Sequence, residues 1–410
     1  MLNIAIIGAG AAGLMAAINA KKDNNTVTIF EKNEKIGKKL YITGKGRCNI
    51  TNACSKQDLF DNILKNPKFC YSAINAFDNF ALIDFLETNG LKTITERGNR
   101  VYPKSEKSSD VIKTLERCCK TTGVKIMLNS NVTKIEHVNE KFIIHANKKT
   151  FEFEALIIAT GGMSYPGTGS TGDGYNFAKS LGHTITEITP SLVPFNCDDP
   201  QIKELMGISL KNVALKAYCD NKEKFSDIGE MLFTHFGVSG PLVLKASCHV
   251  DIKKPCKLVV DLKPGLDENK LDLRILRDFE ANKNKQIKNV LSSLLLNRLI
   301  PVILLRSDVD GNTFVNNINK AQRQSLIKNI KNFEIKVSSF RSIKEAIITR
   351  GGINVKEVNP KDMQSKVIKN LYFAGELLDI DAYTGGFNLQ IAFSTGHLAG
   401  ESVAAMEEVQ

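Results

Sequence analysis

Residues 42–52, ITGKGRCNITN, bring together Gly44, Gly46, the cations Lys45 and Arg47, one thiol at Cys48, and the amides Asn49 and Asn52. These residue types allow three chemistries. Cations beside glycine-freed backbone can grip a phosphate. A thiol can act as an acid or a nucleophile. Cations and amides together can line the wall of a cofactor pocket. A Walker phosphate loop is excluded, because G-x-x-x-x-G-K-[ST] is absent from the stretch.

The neighbouring elements narrow the choice. Residues 2–7, LNIAII, are a β-prone run that stops at GAGAAG, residues 8–13, and LMAAINAKK follows with helical spacing. A second β-prone run, TVTIFEK, carries Glu31 at its tip. A G-x-G-x-x-G turn between strand and helix, with an acid about 20 residues on, is the dinucleotide fingerprint. Gly8 permits the turn, Gly10 admits a pyrophosphate, and Gly13 lets helix and strand close up, with Ala11 and Ala12 between them. The helix start presents unpaired N–H groups and about half a positive charge to the phosphates. Glu31 is placed to accept from ribose hydroxyls.

Two later segments select the dinucleotide. FEFEALIIATGG, residues 151–162, reads as a strand entering a glycine turn at Thr160-Gly161. Residues 370–400 read as a strand, then Gly375-Glu376, then Gly385-Gly386 opening a helix at Phe387-Asn388. In two-part FAD folds such a late strand–loop–helix reaches back to the flavin half, so Glu376 is expected at the ribitol. The positive end of the last helix would favour an anionic reduced flavin.

Composition bounds the rest. A 410-residue chain is long for one core and predicts two or three domains. Its net charge of +11 suggests a polyanionic partner. The nine cysteines show no C-x-x-C pair and no zinc spacing, so no metal is expected, and free thiols fit a reducing cytoplasm. Adjacent Cys118 and Cys119 read as packing residues on two faces of one helix. The apolar N-terminus lacks the basic region of a leader, and its glycines already have a role. Residues 290–305 are too short for a membrane span and predict a buried helix that breaks at Pro301.

Between Thr189 and Arg350 the pattern changes to short alternating runs (SLVPFN, VALKAYCD, EMLFTH, KLVVDL), then to helical spacing, then to FEIKVSSF. The expected fold class is α/β, built on a two-part, Rossmann-like FAD-binding domain from residues 1–188 and 350–410. Nested in it are a β-barrel-like domain, 189–263 with 332–349, and a small helical domain, 264–331.

GAGAAGL, GKKLYITGKGRCNITN, ATGGMSYPGTGSTGDGY, LFTHFGVSGP, TRGGINVKEV and AGELLDIDAYTGGFNLQIAFSTG occur in this order. The succession resembles the BaiN/RdsA-type NAD(P)/FAD-dependent oxidoreductases. The resemblance implies that the GKGRCN loop lies beside FAD, so that Lys39, Gly44, Lys45, Gly46, Arg47, Asn49 and Asn52 face cofactor or substrate, with Lys32 nearby.

Only one full dinucleotide fingerprint is present, so NAD(P)H is expected to visit as a transient electron donor. The family includes reductases of conjugated double bonds, an amino-ketone oxidase and a dihydrouridine synthase of ribosomal RNA. The charge favours the last, with ribosomal RNA as partner; a small-molecule reductase or oxidase, or a non-catalytic RNA-binding or redox-sensing flavoprotein, are the alternatives. Reduction of a C=C bond also needs a proton donor. Cys48, His235 and Tyr383 are the candidates; each has a plain structural alternative in packing or loop orientation. Two cation-rich stretches stand out as RNA contacts: 32–47, with Lys38 and Lys39, and 264–331, with Arg274 and Arg277.

Overall fold

Strand Asn3–Ile7 is buried along almost its whole length, as its run of Ile and Ala requires in the middle of a parallel sheet. It pairs in parallel with Thr26–Phe30 on one side and Ala155–Ile158 on the other. Lys125–Met127 and Leu371–Phe373 complete five strands, so both ends of the chain supply the same sheet. The computed structural model describes residues 2–22 and 24–406. Met1, Asp23 and residues 407–410, which the sequence boundaries assign to the FAD-binding part, lie outside the described residues.

Helix Ala11–Ala20 starts immediately after the glycine turn and packs against the C-terminal helix Phe387–Ala404. Glycine makes this approach possible. A Cβ on Gly396 would collide with Ala12 O, and one on Gly400 with Ala16 O.

The run at 151–162, expected as one strand, is two. Lys149–Phe153 closes an antiparallel meander with Val132–Val138 and Lys141–Ala146, while Ala155–Ile158 joins the parallel sheet. The change of sheet occurs at Glu154, whose N–H donates to Asn3 O (3.0 Å) and whose carboxylate accepts Asn3 N–H (2.8 Å). Apolar continuity cannot reveal such a switch.

The chain forms two units, one of the residues up to Ser191 together with those from Ile343 onward, the other Leu192–Ser342. Within the first, Thr189–Ser191 pairs antiparallel with Ile348–Arg350.

The second unit is built on seven antiparallel strands. Phe333–Val337 pairs with Cys256–Asp261, and Ser339–Phe340 pairs with Phe195–Asn196 at the opposite edge, so one stretch of chain closes the sheet on itself. Helices Glu268–Ala281, Ile300–Arg306 and Lys320–Lys331 bury Leu271, Ile275, Ile303 and Leu326 in the same core as the sheet. Pro301 does not break a helix. It sits in the first turn of Ile300–Arg306, where its missing N–H would have had no partner.

Candidate functional site

The fingerprint glycines separate by what surrounds them. A Cβ on Gly8 (φ 103°) would lie 2.6 Å from Ala159 O, and one on Gly13 would strike Gly8 O; both positions need glycine for close packing. A Cβ on Gly10 would meet nothing within 4 Å, so that side of the turn is open. Gly10 caps helix Ala11–Ala20 with no side-chain bond, and its first turn holds no acid. The helix start is left to an anion.

Glu31 is buried beneath this turn. Its carboxylate accepts Ala9 N–H (2.9 Å), Asn33 N–H (2.8 Å) and Asn33 Nδ2 (2.7 Å). Three of roughly four acceptor positions are thus used by protein, leaving about one for a ligand hydroxyl. Thr160 and Gly161 follow the strand that abuts Gly8, and Thr160 Oγ1 is buried without a partner. Tyr175 OH is a second such orphan; burial, then the charges of Glu376 and Asp379, push its pKa above the usual tyrosine value. Orphaned buried donors, an uncapped helix and an open glycine flank fit a dinucleotide lying on this turn.

The group expected on the flavin side is held mostly by itself. Lys39 bonds Ser164 Oγ (2.6 Å) and pairs with Glu376. Glu376 also accepts Ser164 Oγ–H (3.1 Å) and Thr349 N–H (2.9 Å). Lys32 pairs with Asp173 (2.7 Å). Ser164 and Thr349 were not singled out from sequence, although both lie in motifs quoted for the resemblance, ATGGMSYPG and TRGGINV.

The 42–52 stretch divides in two. Gly44, Lys45 and Cys48 all have positive φ (57°, 59° and 58°), which coils the chain tightly. Arg47 lies 4.2 Å over the Tyr102 ring and pairs with Glu96 and with Glu106 (2.9 Å), so it faces carboxylates of its own chain. The Cys48 side chain is fully buried, and desolvation pushes its thiol up to about 12, partly offset by Thr43. It occupies the packing role.

The amides do something else. With its amide oxygen turned inward, Asn49 accepts Gly386 N–H (3.0 Å) and donates to Thr51 O (3.1 Å) and Val101 O (3.3 Å). Asn52 Nδ2 donates to Gly385 O and Gly98 O, both at 3.0 Å. A Cβ on Gly386 would strike the Thr51 backbone. Residues 49–52 therefore seat the Gly385-Gly386 turn, which opens helix Phe387–Ala404 with no side-chain cap in its first turn.

Tyr383 is half-buried just before this turn; its N–H donates to Asn62 O (3.0 Å), and Asn388 Nδ2 grips its carbonyl (3.2 Å) and that of Ala382 (2.8 Å). His235 belongs to the other unit, exposed between strands Lys222–Thr234 and Gly237–Ser239. Among the described residues, no group of three or more His, Cys, Asp or Glu could hold a metal, and no helix is long and apolar enough to cross a membrane.

Several cations of the two stretches proposed as RNA contacts meet carboxylates. Lys38 pairs with Glu34 (3.3 Å), Arg274 with Asp278 (2.8 Å), Arg323 with Asp272 (2.6 Å) and Lys331 with Asp261 (2.6 Å). Of these partners only Asp261 comes from outside the stretches.

The family described as HI0933-like protein Rossmann domain matches residues 2–402. The chain is 31% identical over 406 residues to a ribosomal RNA dihydrouridine synthase from Haemophilus influenzae, covering 97% of this chain and 98% of that one. It is 30% identical over 410 residues to a 3-dehydro-bile acid delta(4,6)-reductase from Clostridium scindens, covering 98% and 99%. A 3-ketosteroid delta1-dehydrogenase from Sterolibacterium denitrificans, solved with 1,4-androstadiene-3,17-dione, superposes with a TM-score of 0.51 at 13% identity, covering 99% of this chain and 100% of that one. The last likeness concerns the fold alone.

Proposed function

The chain belongs to the HI0933-like Rossmann family of FAD-dependent oxidoreductases, and from that premise we propose that it reduces an activated C=C bond, namely C5=C6 of a uridine in large-subunit ribosomal RNA. The observation that carries the flavin chemistry is the pair of uncapped, glycine-opened helix starts at Gly10 and Gly386 in one unit. In this reading Gly8–Gly13 hold the pyrophosphate and Glu31 the adenosine ribose, with Lys32 and Thr160-Gly161 beside them. Lys39, Gly375 and Glu376 face the ribitol. Gly385-Gly386, Phe387 and Asn388, seated by Asn49 from the Gly44–Arg47 coil, face the ring.

When bound, FAD supplies a hydride for an electron-poor double bond, with NAD(P)H as transient donor. The chain's own part is to position the base and deliver a proton. Of the three candidate acids, Tyr383 is the one this reading keeps: it is partly exposed, in the same unit as Gly386, with its backbone pinned by Asn62 and Asn388. An enclosed thiol at Cys48 has no route to a substrate carbon. The target base has to leave its stack to reach such a site.

The net charge of +11 supports a polyanionic substrate. A second reading, reduction of a conjugated small molecule, rests on the bile-acid reductase, which is nearly as similar over the same length. Mass spectrometry of ribosomal RNA from a strain lacking the protein separates the two. Loss of one dihydrouridine, restored by purified protein with NAD(P)H, supports the RNA reading; an unchanged modification pattern overturns it.

A further inference from the structure

Strands Thr93–Glu96 and Arg100–Pro103 form an antiparallel hairpin in which Glu96 faces Arg100 and Ile94 faces Tyr102. Lys104 N–H donates to Lys92 O (2.8 Å), which extends the register by one pair. Residues directly opposite share a face, and alternate residues along each strand share it too. One face therefore carries Lys92, Ile94, Glu96, Arg100, Tyr102 and Lys104. The other turns Val101 and Pro103 inward, where both are buried.

The charges on the first face do not balance. Its one acid, Glu96, is paired with Arg47, and the nearby Glu106 is paired with the same guanidinium. Glu87, at the hairpin base, accepts Thr93 N–H and Oγ1–H instead of meeting a cation. Lys45, Lys92, Arg97, Arg100, Lys104 and Lys107 are exposed, and none of the six makes an ion pair. Arg47 is thus a hub. By holding both acids over Tyr102 it draws the 44–47 coil, the hairpin and the 104–107 turn together and leaves their cations unopposed. From the Lys92/Lys104 pair to the Glu96/Arg100 pair the face runs about 13 Å, four residues at about 3.3 Å each. Exposed Ile94 and Tyr41 offer apolar surface among the charges. Two residues beyond Arg47, Asn49 holds Gly386, so this face is joined through a few bonds to the helix start assigned to the flavin.

We propose that this hairpin face is the surface that grips the RNA backbone, with unpaired cations meeting phosphates and the exposed Tyr41 ring beside it available to an unstacked base, while Tyr102 stays buried beneath Arg47. The proposal rests on the RNA reading for its partner.

The test compares the full-length, FAD-loaded protein with Arg97→Gln/Arg100→Gln/Lys104→Gln, and with a charge-matched control in the other unit, Lys211→Gln/Lys222→Gln/Lys224→Gln. The probe is a fluorescein-labelled single-stranded segment of large-subunit ribosomal RNA, titrated at several salt concentrations. The hairpin variant is expected to weaken binding on the order of tenfold or more and to flatten the log–log salt slope by about 2, from roughly 0.7 per lost phosphate. The control should keep affinity and slope near wild type. Flavin content, melting temperature and NAD(P)H oxidation by oxygen should not change in either. Wild-type affinity in the hairpin variant overturns the proposal, as does an equal loss in the control, which would make net charge the cause. Hairpin-dependent binding to phosphatidylglycerol vesicles without RNA binding overturns RNA as the partner. Loss of RNA binding in the hairpin variant, with no dihydrouridine formed even by wild type, supports the surface and overturns the substrate reading.

Discussion

The amide oxygen of Asn49 accepts the N–H of Gly386 at 3.0 Å, joining the Gly44–Arg47 coil to the start of the C-terminal helix. The same Asn49 bonds Thr51 and Val101, so the helix start is held against the three-stranded sheet that carries the basic hairpin.

Removing that tie should loosen the flavin end first. Asn49→Ala leaves Gly386 N–H without its side-chain acceptor and removes a donor from Thr51 O, while Val101 O keeps the Ile50 N–H; the cost is about 1–3 kcal/mol. FAD should dissociate more readily, seen as a higher Kd in flavin fluorescence titrations. Asn52→Ala, which frees Gly385 O, should act in the same direction. Wild-type FAD affinity in both variants would remove the 49–52 segment from the cofactor site.

Glu31 serves the turn as well as the ribose. Glu31→Ala strips the acceptors from Ala9 and Asn33 and should cost about 1.5–3 kcal/mol for a charge-assisted bond. Both the melting temperature of the flavin-free protein and FAD retention should fall. A drop in the first with none in the second would assign Glu31 to the turn alone.

Tyr383→Phe tests the proton donor. Turnover on RNA should fall by roughly a hundredfold or more, the range of general acid catalysis, with FAD binding and flavin reduction by NAD(P)H preserved. Cys48→Ala and His235→Asn should keep near-normal turnover. Should His235→Asn instead abolish turnover while Tyr383→Phe does not, the acid lies in the other unit.

The enclosed thiol of Cys48 gives a pH dependence. Its pKa is pushed up to about 12 by burial, from an ordinary value near 9. Below pH ~9 the thiol is neutral in folded and unfolded chains alike, and its contribution to stability is fully present. Above that, only the unfolded chain releases the proton, so stability falls by about 1.4 kcal/mol per pH unit until the folded pKa is reached. Urea midpoints measured from pH 8 upward should decline through this window, and the decline should be shallower in Cys48→Ala.

Gly396 tests the helix crossing. A Cβ there would meet the Ala12 backbone, so Gly396→Ala should destabilise by about 1–3 kcal/mol and displace the helix that follows the fingerprint. Lower melting temperature together with weaker FAD binding is the expected result; Gly265→Ala, where a Cβ meets nothing, is the matched control.

What the sequence determined by itself is what local stereochemistry controls. A glycine turn between a β-prone run and a helical run can be recognised without a fold, because φ at Gly8 and the bare helix start at Gly10 depend on residues within a few positions. The opening of the last helix at Gly385-Gly386 is legible for the same reason. Tertiary structure decided whatever depends on distant partners. The break at Glu154 follows from bonds to Asn3, and the enclosure of Cys48 from packing around it. Above all, a list of lysines and arginines does not say which of them meet a carboxylate. Arg47 lies in a loop with Lys45, yet its charge is spent on Glu96 and Glu106, and that pairing leaves the hairpin cations exposed. Coulomb attraction acts through space, and only the folded chain sets those distances.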